Sequence, residues 1–202
     1  MPKELYLKTP DGGHIVIRPL ERGDEPALKA AIDSFSNRSR YLRFFSEINP
    51  VPQPIVHRLA DVDHKAHLAW VALDASHPDM PVIGAVHGIR ERAGQSVGEF
   101  AIGLVDAWQG RGLARLLVAV LCAEAKQRGM VAMRADVLWE NKAGRALMKA
   151  LEAKSEGSDG QVLQYRFDTD NTFKCLRKSL AGKGADGLFD AIDTGGLVEA
   201  AA

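Results

Sequence analysis

VGEFAIGLVDAWQGRGLARLLVAVLCAEAKQRGM, residues 97–130, reads as a strand, a glycine-rich turn and a long helix. The strand, 98–105, mixes β-branched, aromatic and small residues. The turn holds Gln109, Gly110, Arg111 and Gly112. The helix follows, with Leu113, Leu116, Leu117, Val120, Leu121 and Ala125 along one stripe at helical spacing. Lys126 and Arg128 sit in its last turn, and Gly129 is the stop. A helix that starts after glycines leaves its first N–H groups unpaired, facing a turn where no β-carbon blocks approach. That is an anion site, and Arg111 and Arg115 suit it to a pyrophosphate. A P-loop is excluded, because Leu113 stands where it requires Lys. The dinucleotide fingerprint fails at its third glycine, where this chain has Arg115. What remains is Gln109-x-x-Gly112-x-Ala114.

Working outward, residues 13–20 form a first strand ended by Pro19. Asp24 stands as an N-cap before a helix whose stripe is Leu28, Ala31, Ile32 and Phe35. A second helical stretch, 38–48, carries Tyr41, Leu42, Phe44 and Phe45. These pack against the sheet or line an acceptor cleft or acyl pocket; the sequence leaves both readings open. Strands follow at 67–74, 82–90 and 98–105, a fifth at 131–138, a helix at 141–153 and a last strand at 161–167. The 202 residues are 46% hydrophobic, enough for one domain with a sizeable core. Lys+Arg and Asp+Glu number 26 each, so no broad attraction to nucleic acid or membrane is expected. Cys122 and Cys175 fit no metal spacing, and no metal is expected. No apolar run reaches a membrane span and no signal-peptide core is visible, which makes a reducing cytoplasm the expectation.

The order of elements, with Gln109-x-x-Gly112-x-Ala114 at its centre, resembles the GCN5-related N-acetyltransferases, the GNAT family. The likeness covers roughly residues 13–168. Within the family it is closest to bacterial protein-lysine acetyltransferases of the Pat type. IRPLERGD (17–24), SRYLRFFS (39–46), ADVDHKAHLAWVA (60–72), GEFAIGLVDAWQGRGLA (98–114) and Asn141 carry it. The resemblance implies an α/β fold: a mixed, mostly antiparallel central sheet flanked by helices and splayed between the fourth and fifth strands. It implies acetyl-CoA as acyl donor, with N–H groups of Gln109, Gly110, Arg111, Gly112, Leu113 and Ala114 on the pyrophosphate. Arg115 would add charge, Leu104 and Val105 would offer a strand edge to the pantetheine, and Asn141 would contact the coenzyme or cap its helix. The domain would run over 1–170, with 171–202 an appendage or flexible tail.

An amine acceptor brings a need for a base. A lysine of pKa about 10.4 leaves roughly one molecule in a few thousand neutral at pH 7, and only that form attacks a thioester. Glu99 is the catalytic candidate, at the position of the glutamate that serves as base in Pat-type enzymes. On a strand, Glu99, Ala101 and Gly103 share one face, and the two small side chains leave room for a ligand; Phe100, Ile102 and Leu104 face the core. His87 is the rival, beside Glu99 or on the opposite face according to the register of the hairpin. Asp61, Asp63, His64 and His67 are weaker candidates, since a polar cluster before a strand is usually a solvated loop. A backbone N–H near Val105 would meet the oxyanion. The position where many GNAT enzymes have an acidic tyrosine is Met148, which cannot donate a proton. Three functions follow: transfer to a protein lysine, such as one of an acyl-CoA synthetase; transfer to a small-molecule amine; or acyl-CoA sensing without turnover. The oligomeric state is not written in the sequence.

Overall fold

A computed structural model describes residues 4–9, 11–92 and 94–195. Residues 1–3, 10, 93 and 196–202, among them the end of the expected C-terminal appendage, lie outside the described residues. The strands are β1 (Leu5–Lys8), β2 (His14–Pro19), β3 (His67–Asp74), β4 (Val82–Ile89), β5 (Val97–Leu104), β6 (Ala132–Leu138), β7 (Lys154–Asp159) and β8 (Val162–Asp168). The helices are α1 (Glu25–Asp33), α2 (Asn37–Phe44), α3 (Gln53–Ala60), α4 (Leu113–Gln127), α5 (Lys142–Ala150), α6 (Thr169–Leu180) and α7 (Asp186–Asp193). One eight-stranded sheet runs β1-β2-β3-β4-β5-β6-β8-β7. Every neighbouring pair is antiparallel except β5 and β6, which pair in parallel over Val97–Glu99 alone. β4 stays paired to β5 as far as Leu104, opposite Gly84, so β6 departs while β5 runs on. This is the splay that the likeness implied.

The two faces of the sheet have separate cores. On one, α4 packs with Trp70, Phe100, Met133 and Phe167, and α6 and α7 cover α4 from outside. On the other, Leu28, Ile32 and Phe35 of the α1 region and Val56 of α3 pack on Val16, Val71 and Ala85. Phe100 belongs to the α4 core, and Ile102 and Leu104 pack against it. Gly103 lies under the Phe35 ring, where a β-carbon would sit 3.2 Å from Cζ. The face of β5 bearing Glu99, Ala101 and Gly103 therefore looks toward α1 and α2.

Several elements differ from the sequence expectation. β1 and β7 were not foreseen, and every residue of β7, KSEGSD, is exposed, so no alternation marks it. The second helix stops at Phe44 rather than at 48, because Phe45 takes a left-handed φ of 56°. Asp24 does not cap α1 with its side chain. It accepts two bonds from Arg18, both 2.7 Å, and one from the Glu21 N–H at 2.8 Å.

Candidate functional site

The divergence of β6 from β5 leaves backbone groups of β5 without a strand partner. Val105 donates its N–H to Ile83 O at 2.9 Å. Since an antiparallel strand alternates its hydrogen-bonding direction, the Leu104 N–H points the opposite way, into the gap. The strand-edge donor facing the gap is thus that of Leu104, and that of Val105 is spent within the sheet. The Leu104 carbonyl accepts from Gln109 Nε2 at 3.2 Å.

The turn beyond has left-handed glycines, φ 75° at Gly110 and 84° at Gly112, conformations that cost any residue with a β-carbon. The Gln109 N–H is taken by Asp106 O at 3.1 Å and that of Arg115 by Gly112 O at 3.1 Å. Between them, the N–H groups of Gly110, Arg111, Gly112, Leu113 and Ala114 meet no acceptor among the described residues. Five free donors at the start of a 15-residue helix form a cradle for a polyanion.

The side chains of the turn have structural partners. Gln109 Nε2 also donates to Ser39 Oγ at 3.0 Å. Ser39 and Ser36 hydroxyls donate to Asp106 Oδ1 at 2.8 and 2.6 Å. Partial burial raises the Asp106 pKa, and these donated bonds outweigh it, so the carboxyl titrates below its ordinary value. The cluster clamps the start of α2 to the end of β5. Arg111 is folded back: its guanidinium lies 4.0 Å over the Trp108 ring and pairs with Asp11. Arg115 is exposed.

A cleft of about 720 Å³ occupies the splay. Leu104 and Gln109 through Arg115 line one side of it, and Asn141 with α5 the other; Val105 does not line it. Asn141 Oδ1 caps α5 by accepting the Gly144 N–H at 2.8 Å, so cap and cleft wall are one residue. A β-carbon at Gly144 would stand 2.8 Å from Asn141 Nδ2 and 2.9 Å from Val137 Cγ1, so the close approach needs glycine. Ala143, Ala146 and Ala150 keep this wall low. No tyrosine or cysteine lines the cleft among the described residues. Met148 is buried in the α4 core, and burial pushes the Cys122 thiol up out of the reactive range.

Glu99 is exposed on β5, opposite Ile89 on β4 and Arg134 on β6, where the strands are still paired; it does not line the cleft, whose β5 wall is Ile102 to Leu104. Arg43 of α2, half-buried on the cleft wall, is brought down to about 10 by burial, with the Glu99 charge acting against that fall. Arg43 had not been singled out in the sequence. Its signal is the i, i+4 spacing from Ser39, which puts clamp and guanidinium on one side of α2.

His87 stands opposite Ala101, on the Glu99 face, but is 2% exposed. It borders a separate cavity of about 20 Å³, room for one water, with Phe35, Arg43 and Phe44. His67 Nδ1 faces Asp61 O at 3.3 Å, so that nitrogen carries the proton; His67 Nε2 then accepts from His87 Nδ1 at 3.0 Å. Burial, with Arg43 and His67 adding to it, holds the His87 pKa well below its ordinary value. The other polar candidates are tied into the scaffold. Asp63 Oδ1 accepts the N–H groups of Lys65, Ala66 and His67 at 2.8–2.9 Å. Asp61 pairs with Arg22 at 2.8 Å. His64 bridges Glu124 Oε1 at 3.1 Å and Leu20 O at 3.0 Å. Among the described residues no cluster of His, Cys, Asp and Glu could hold a metal ion, and no helix is long and apolar enough to cross a membrane.

Residues 14–154 match the family model described as an acetyltransferase (GNAT) domain. The chain is 32% identical over 168 residues to acetyltransferase Pat of Mycolicibacterium smegmatis, a match covering 83% of this chain and 49% of that protein. It therefore spans about half the length of that relative. It is 30% identical over 142 residues to acetyltransferase PA5475 of Pseudomonas aeruginosa, covering 70% of this chain and 75% of the other. The crystal structure of the GNAT domain of S. lividans PAT superposes with a TM-score of 0.74 at 25% identity, covering 82% of this chain and 96% of that one.

Proposed function

The chain belongs to the GNAT acetyltransferase family, and from that premise we propose that it moves an acetyl group from acetyl-CoA to the side-chain amine of a protein lysine. The observation that carries the reading is the joint exposure, in one cleft, of the Leu104 strand edge and the five N–H donors of Gly110 to Ala114. A strand edge suits an amide-bearing arm such as pantetheine, and the helix start suits a pyrophosphate. Asn141 and the low alanine wall of α5 hold the opposite side.

Acetyl-CoA supplies the acetyl group as an activated thioester. The chain's own work is to hold it and to prepare the acceptor. Glu99 takes the proton from the acceptor ammonium; its side chain is exposed, so it returns that proton to solvent without a relay. The Leu104 N–H is the donor available to an acyl oxygen at the splay. Among the described residues no tyrosine lines the cleft, and protonation of the departing thiolate is left to water. The likeness of SRYLRFFS (39–46) to Pat-type protein-lysine acetyltransferases and the exposure of Glu99 favour a lysine presented by a folded protein over a small amine.

Labelled acetyl-CoA incubated with the chain and a cell lysate tests this, with protein and small-molecule fractions counted separately. Label in lysine residues of protein is expected. Label confined to small amines overturns the acceptor, and no enzyme-dependent transfer overturns the reaction.

A further inference from the structure

The family match stops at residue 154, yet Leu180 and Lys183 also line the coenzyme cleft. Their position is fixed by ordinary packing and hydrogen bonding. Asp168 caps α6 by accepting the Asn171 N–H at 2.8 Å. Two buried hydroxyls then lock the helix in place: Thr169 donates to Met130 O at 2.9 Å and Thr172 to Leu151 O at 2.9 Å. Leu176 and Leu180 are buried in the α4 core, as are Ala185, Leu188 and Phe189 beyond. The turn between α6 and α7 is pinned at both ends. Gly184, with φ 81°, lies against the Lys8 carbonyl, which a β-carbon there would meet in ordinary contact at 3.5 Å. The Gly182 N–H bonds Asp186 Oδ1 at 3.2 Å. Lys183 is thereby held beside the end of β1, next to the turn where Asp11 meets Arg111.

The charges at this end of the cleft are unbalanced. Arg111 is spent on Asp11 and the Trp108 ring. Lys183 Nζ donates to Ser179 O at 2.8 Å, a neutral carbonyl that leaves its charge uncompensated. Arg115 and Lys178 are both exposed and both act on Cys175, which places the tips of α4 and α6 on one rim. None of these three cations meets a carboxylate at ion-pair distance among the described residues. Of the nearest carboxylates, Asp11 is committed to Arg111 and Asp186 to the Gly182 N–H, while Glu152 lies at Cys175.

The turn after β5 offers N–H dipoles to a pyrophosphate but no uncommitted cation. Coenzyme A carries a further anion, the phosphomonoester on its ribose, with a charge near −2 and no substitute for a cation as its partner. We propose that Lys183, with Arg115 on the wall of the same cleft, binds the ribose 3′-phosphate of the coenzyme, so that the α6–α7 segment is part of the cofactor site. The proposal rests on the coenzyme reading above. Lys183 leaves the Ser179 carbonyl and turns its ammonium toward the phosphate, a change its exposed stem permits. Lysine acts there as a mobile point charge, which suits a monoester reached at the rim of a cleft.

Calorimetry with coenzyme A and with 3′-dephospho-coenzyme A separates this contact from the rest of the site. The wild type should bind coenzyme A more tightly than the dephospho form. Lys183→Ala should weaken coenzyme A about three- to tenfold, the range for a charge-assisted contact at a screened surface, and leave the dephospho form unchanged. Lys183→Arg should keep the preference. Lys65→Ala, an exposed change at the opposite end of the sheet, controls for net charge and should alter neither affinity. Equal weakening of both ligands by Lys183→Ala, or none, overturns the assignment while the coenzyme reading stands. A wild type that binds neither ligand overturns the coenzyme reading and this assignment with it.

Discussion

At the residue scale, Glu99 and His87 lie on the same face of the sheet and differ in access. Glu99 opens to solvent, and His87 is enclosed with its Nδ1 committed to His67. Glu99→Gln keeps the shape and removes proton acceptance. Turnover at pH 7 should fall by about 10²–10⁴, with affinity for acetyl-CoA unchanged, and raising the pH should restore part of it as more acceptor becomes neutral. His87→Gln should leave the turnover of the folded protein near normal; the reverse pattern moves the base to β4. A second residue-scale prediction concerns His64. Both of its ring nitrogens face acceptors, Glu124 and the Leu20 carbonyl, an arrangement that favours the protonated ring, and the Glu124 hydrogen bond raises its pKa. A folded pKa above the unfolded value gives stability that is full below about 6.5 and fades as pH rises through the folded pKa. His64→Asn, chosen because Asn tolerates the left-handed backbone there, should therefore cost most in melting temperature below pH 6.5 and progressively less above it. Glu99 was legible because strand alternation assigns faces. The fate of His87 was not, because it turns on the register between β4 and β5 and on burial by α1 and α2, which one strand does not encode.

At the element scale, the order strand, glycine turn and helix over residues 97–127 was legible, since period two, glycines and period 3.6 follow one another; the end of the strand at Leu104 rather than Val105, and the short helical turn at 106–108, were not. The clamp on them was not. Ser36, Ser39, Asp106 and Gln109 are ordinary polar residues in sequence, and only the docking of α2 on β5 brings them together. Gln109 matches the family pattern, and its amide here holds scaffold to scaffold. The element's own prediction is Gly112→Glu. At φ 84° a β-carbon costs about 1–2 kcal/mol, which the fold tolerates, while the added carboxylate enters the cradle of N–H groups. Acetyl-CoA binding should disappear in calorimetry with the melting transition retained. Gly112→Ala, which carries the backbone strain without the charge, should lose far less affinity.

At the scale of the whole molecule, α4 is the beam on which the rest is hung. Eleven of its fifteen residues are buried, including every one from Leu116 to Ala125, so the sheet can cover only one side of it. A helix buried all round needs a second cover, and α6 with α7 supplies it. The run LLVAVLCAEA contains that requirement; reading it as a single stripe hid the second face. A chain ended at residue 168 loses the burial of Leu176, Leu180, Leu188 and Phe189. At about 1.5–3 kcal/mol each, the four together approach the whole stability of a domain, about 5–15 kcal/mol. That truncated chain should lose its cooperative thermal transition and expose surface that binds ANS.

The short parallel pairing of β5 with β6 has a mechanical consequence. Five strands on one side and three on the other are two stiff plates welded over Val97–Glu99 alone, and α4 bridges them as a leaf spring from the tip of one plate to the root of the other. Beyond those three residues the angle between the plates is set by side-chain packing under α4, Phe100 against Phe167 included, and not by main-chain hydrogen bonds. Anything lodged in the gap acts as a shim: it sets that angle, and it loads or relaxes the spring.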